Sequence, residues 1–129
     1  MAEQSSQFNR LVLMALARLY TAHPRAVTLA PADIYPPELR DAADENLEAE
    51  AAGTILWLYR SGAIAGDLVT QPGISVALAQ LSAPTYKKMI SREPTQNVGQ
   101  LGAAAVDYSE KPDNPSVQLF CKVLVSNLI

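Results

Sequence analysis

Ile55-Leu56-Trp57-Leu58-Tyr59-Arg60-Ser61-Gly62-Ala63-Ile64 changes its period at its own glycine. Upstream, Leu47, Ala51, Thr54, Ile55, Leu58 and Tyr59 recur at helical spacing and predict a helix over residues 44–61. Asp44 is placed to cap it, and Glu45 and Glu48 suit the positive end of the helix dipole. Gly62 is a natural left-handed stop. Ala52 and Gly53 are small enough to let another helix approach. Downstream, residues 63–69 are short and apolar, and Thr70-Gln71-Pro72-Gly73 is a turn. Ile74, Val76 and Leu78 then alternate onto one face, as in a strand. Two strands about a Pro-Gly turn predict a hairpin, with a helix over residues 74–81 as the competing reading.

Moving outward, Phe8, Leu11, Val12, Ala15, Leu16, Leu19 and Tyr20 mark one face of a helix over residues 6–22. Ser5 or Ser6 would cap it, and His23-Pro24 ends it. Residues 25–30 read as a short extended piece. Helical turns are expected over residues 31–35, where Pro31 suits a first helical position, and over 38–43. On the other side, Ser82 with Pro84 opens a third helix, Tyr86, Met89 and Ile90 give it an apolar face, and Pro94 stops it. Residues 101–108 predict a short helix. Val117, Phe120, Cys121, Leu124, Val125 and Leu128 form the stripe of a closing helix over residues 116–128. The fold class expected is mainly α with a small β-hairpin, α+β.

Helix, extended piece, short helix, long helix, hairpin, helix is an order that resembles a winged-helix (winged helix-turn-helix-like) domain. The residues that carry the resemblance are Ile55 to Ile64, where an apolar helix ends at glycine and enters the first wing strand, and Leu78 to Tyr86, which closes the wing. Thr85 stands where that pattern usually has glycine. The resemblance spans residues 8–90 and suggests small bacterial or phage-type winged-helix proteins. It implies a winged-helix-like unit over residues 1–92 and a C-terminal helical extension over 93–129 packed on the same core.

Winged helices commonly place the helix before the wing in the major groove. Here that helix would offer Asp44, Glu45, Glu48 and Glu50, which phosphates repel. The net charge of −3 and the absence of a basic residue at the wing tip point the same way. Against this, Lys87, Lys88 and Arg92 form one local basic cluster, and Arg60 ends the long helix; these four are the candidate DNA contacts. A solvated helix end is the plainer reading of the cluster. The expectation is a non-enzymatic interaction module that self-associates or binds a protein, with a DNA-binding regulator as the alternative. Val117, Phe120, Leu124 and Leu128 are the candidate interface, unless that stripe only covers the first helix within one chain.

Chemical motifs are sparse. Cys121 is the single cysteine, sits in an apolar run, and reads as a small buried hydrophobe. His23, the single histidine, has no base or nucleophile near it in sequence. Asp41, Asp44, Glu45 and Glu48 lack the alternating ligands and glycine of a calcium loop. Gly99-Gln100-Leu101-Gly102 is too short to cradle phosphate. Trp57 is expected at the core's edge. No cofactor or metal is expected. No leader peptide and no span are expected either, since the longest apolar run is Leu11 to Ala17, so the location expected is cytoplasmic.

Overall fold

The structure is a computed structural model that describes residues 2–91 and 100–128, with side chains for 7–91 and 100–127. Its chain order is α1 (Ala2–Ala22), β1 (Val27–Leu29), two 3-10 turns (Pro31–Ile34 and Pro37–Ala42), α2 (Glu45–Arg60), β2 (Ile64–Val69), β3 (Ser75–Leu81), α3 (Ala83–Met89), α4 (Leu101–Ser109) and α5 (Pro115–Leu128). The class is mainly helical α+β with a three-stranded antiparallel sheet in the order β1-β3-β2. The expected extended piece is therefore a strand, and residues 74–81 are a strand and not a helix.

The centre of the molecule is α1. Every residue from Arg10 to Ala17 is buried, so this length of the helix is covered on all sides and not on one face. The seven-residue periodic stripe missed Leu13, Met14 and Ala17, which are equally enclosed. Helices α4 and α5 pack on one flank, α2 and β3 on others, and one continuous apolar cluster runs through all of them. The helix also starts at Ala2, so Ser5 and Ser6 lie within its first turns and not at its cap.

Around Gly62 the local expectation is met in detail. Asp44 Oδ1 accepts from the Leu47 N–H at 2.9 Å and caps α2. At the other end Gly62 takes a left-handed φ of 83°, Ala63 N–H donates to Leu58 O at 3.0 Å, and Gly62 N–H to Tyr59 O at 3.2 Å. These two bonds satisfy the last carbonyls and turn the chain straight into β2.

Strand β3 departs from simple alternation. Ala65 pairs with Gln80 and Asp67 with Ala77, so Gly66 alone faces both Leu78 and Ala79. The extra residue is a bulge. Leu78 sits in the left-handed region at φ 53° and is 64% exposed, while Val76, Ala79 and Leu81 point inward. The expected face of Ile74, Val76 and Leu78 is thus broken, because the bulge shifts the inward register by one residue. Gly66 makes this fit: a Cβ there would lie 2.6 Å from Val76 Cγ1.

Candidate interaction surface

Helix α2 buries Leu47, Ala51, Thr54, Ile55 and Leu58 and turns its other side to solvent. That outer side carries Glu45, Asn46, Glu48, Glu50 and, at its end, Arg60, all exposed. None of the three glutamates forms an ion pair among the described residues. Burial, and next to it the negative charge of Glu48 and Asp44, hold the Tyr35 phenol above its ordinary value. The tyrosine ring therefore lies within reach of the same acidic field.

Two shallow hollows flank Glu50. One, of about 390 Å3, runs over Leu39, Leu47 and Asp44. The other, of about 210 Å3, is floored by Phe8, Leu11 and Gly53. Gly53 was expected to admit another helix, but nothing in the chain lies within 4 Å of where its Cβ would be. It faces outward because Ala51 and Thr54 take the inward positions. Trp57 sits at the edge of this patch, half-buried, with its ring edge-on to Phe8 at 5.0 Å.

The basic candidates are separated by element. Lys87 and Lys88 lie exposed in the last turn of α3, and Arg60 in the last turn of α2; none forms an ion pair among the described residues. Arg92 lies outside the described residues. Helix α3 begins after Ser82 as expected, but the Ser82 hydroxyl does not cap it. It lies 3.1 Å from Ala63 O and 3.0 Å from Thr85 Oγ1, tying the helix to the start of β2. The helix ends at Met89, well before Pro94.

The C-terminal candidates are spoken for within the chain. Val117, Phe120 and Leu124 are no more than 1% exposed. Their side chains fill the interior, where α5 packs on α1, and Phe120 stacks on Tyr108 at 4.4 Å between ring centroids. They cannot also form an outer surface. The side chain of Leu128 lies outside the described residues. Leu119, which the stripe left out, is the exposed large residue of this helix at 59%.

Cys121 is buried and its thiol is pushed up to about 12, chiefly by burial, which leaves no thiolate at neutral pH. His23 is exposed but not isolated: its ring stacks on Tyr86 at 3.9 Å and 17°. Gly102 has a packing role, since a Cβ there would lie 2.2 Å from Tyr20 Cε1. Among the described residues no group of His, Cys, Asp and Glu is arranged to hold a metal ion, and no helix is long and apolar enough to cross a membrane.

No family model, curated protein or solved structure matches the chain.

Proposed function

We propose that the chain is a winged-helix interaction module, non-catalytic and cytoplasmic, that binds a protein surface rich in lysine and arginine. The winged-helix reading is supported by the element order and by the β1-β3-β2 sheet that seats β3 between the first strand and the hairpin partner. The observation that carries the functional reading is the outward face of α2. This is the element that such folds use to read a ligand. Here it presents Glu45, Glu48 and Glu50 beside two hollows floored by Leu39, Phe8 and Leu11. Carboxylates next to small apolar hollows suit an amphipathic basic segment and repel a phosphate backbone. The partner surface belongs to a second copy or to another protein. The burial of Cys121 supports the non-catalytic part of the reading.

The test has two arms. A fluorescent amphipathic lysine peptide should bind the full chain and lose binding in a Glu48→Lys/Glu50→Lys variant. Labelled random duplex DNA should show no salt-sensitive binding. Duplex binding that weakens with salt and vanishes in Lys87→Glu/Lys88→Glu would overturn the proposal in favour of a DNA-binding regulator. Sedimentation over a concentration series then separates a second copy from a foreign partner.

A further inference from the structure

A separate hollow carries a surplus of basic residues on its border. It holds about 550 Å3, within the usual range of small-molecule pockets, and is bounded by α1, β1, both 3-10 turns and the end of α4. Three arginines from three separate elements border it: Arg18 on α1, Arg25 in the following loop, and Arg40 in the second 3-10 turn. Their donors are largely unused. The Arg25 guanidinium has no partner among the described residues, Arg40 spends only Nε on Tyr35 O at 3.3 Å, and Arg18 meets Asp33 at a loose 3.7 Å. Asp33 itself is engaged, since its Oδ2 accepts from the Ala30 N–H at 2.9 Å.

We propose that this groove binds a small carboxylic acid, with the carboxylate held by Arg18, Arg25 and Arg40 and the apolar body lying on Met14, Ala17 and Val106. Charge sets the head group. Three arginines against Asp33 and Glu110 leave one positive charge in the groove, which one carboxylate neutralises. Planar guanidinium groups match a carboxylate in paired hydrogen bonds. Chemistry of the floor sets the body. Met14 and Ala17 are buried parts of α1, and Val106 is half-buried on α4, so an apolar group seated there gives up water on both sides. Thr21 and Ser109 direct their hydroxyl protons at their own helix carbonyls, Ala17 O and Val106 O, and so add no competing donor.

Benzoate is the probe, with benzamide as its neutral isostere and inorganic phosphate as the anion without an apolar body. Amide resonances of the full-length chain are followed at constant ionic strength, to about 10 mM probe. Benzoate is expected to shift Thr21, Val27 and Val106 together on one saturating curve. Benzamide and phosphate should bind at least about tenfold more weakly, and Arg25→Gln should weaken benzoate by about tenfold while leaving the thermal unfolding midpoint in place. No saturating shift at these residues, equal affinity for benzamide or phosphate, or an unchanged affinity in Arg25→Gln would each overturn the proposal.

Discussion

The guanidinium of Arg10, inside the buried length of α1, forms a forked ion pair with the carboxylate of Glu38 in the second 3-10 turn. Its Nη2 lies 2.7 Å from Glu38 Oε1 and also donates to Lys111 O at 2.9 Å, beyond the end of α4. One side chain thus joins three segments far apart in sequence. The burial is lopsided: the Arg10 side chain is 5% exposed and that of Glu38 30%.

That asymmetry predicts unequal mutants. Glu38→Gln strands a buried cation and should cost about 3 kcal/mol, whereas Arg10→Met leaves a carboxylate that can turn to water and should cost about half as much. Urea unfolding of the two variants measures the difference. Equal losses would mean that the pair is as open to solvent at one end as at the other.

The same contact predicts acid sensitivity. The hydrogen bond from Arg10 is the largest influence holding the Glu38 carboxyl below its ordinary 4.5. Between the folded and ordinary values the unfolded chain binds the extra proton, so the stabilisation is present above about pH 4.5 and drains away as pH falls through the folded value. Stability measured from pH 7 to pH 3 should decline less steeply in Glu38→Gln than in the parent.

Two glycines in helices should respond in opposite directions. A methyl group at Gly102 collides with the Tyr20 ring, whose hydroxyl donates to Gln100 Oε1 at 2.6 Å, so Gly102→Ala should destabilise by about 1–3 kcal/mol. Gly53 has open space around it on the outer side of α2. Gly53→Ala should therefore stabilise, by up to about 1 kcal/mol. Thermal unfolding of the pair decides both signs.

Leu78 is a β-bulge residue in a conformation that suits glycine or asparagine, with its side chain in water. Leu78→Gly should raise the urea midpoint by an amount worth about 0.5 kcal/mol, since relief of strain exceeds the added freedom of the unfolded chain. A lowered midpoint would mean that the leucine packs on something that its exposure does not reveal.

Cys121 provides a chemical readout of the core. With its thiol held near 12, the folded chain stays protonated at alkaline pH where the unfolded thiol, near 9.0, ionises. Stability should then fall as pH rises from about 9 towards 12. At pH 8, labelling by an aromatic disulfide should proceed only through opening of the core, at a rate that rises steeply as urea is added.

The long helices were legible because their signals are local. Asp44 and Gly62 bracket α2 through bonds that reach only a few residues, and the α5 stripe of Val117, Phe120, Cys121 and Leu124 repeats at the helical period. The acidic outer face of α2 follows from the same periodicity, since fixing the buried residues leaves Glu45, Glu48 and Glu50 outside. What covers a stripe was not legible. The α5 stripe reads the same whether it meets α1 of its own chain or a second copy, because periodicity marks an apolar face without naming its partner.

The amino-acid sequence by itself determined the presence of the helices, the stops of α1 and α2, the turn between β2 and β3, and the acidic helix ahead of the hairpin, since each depends on residues within a turn or two of one another. Tertiary structure alone decided that α1 is enclosed on every side from Arg10 to Ala17, that β3 bulges at Leu78, that Arg10 meets Glu38, and that Arg18, Arg25 and Arg40 border one groove. These relations join residues on different elements. Their distances depend on how the elements pack, and no spacing along the chain encodes that.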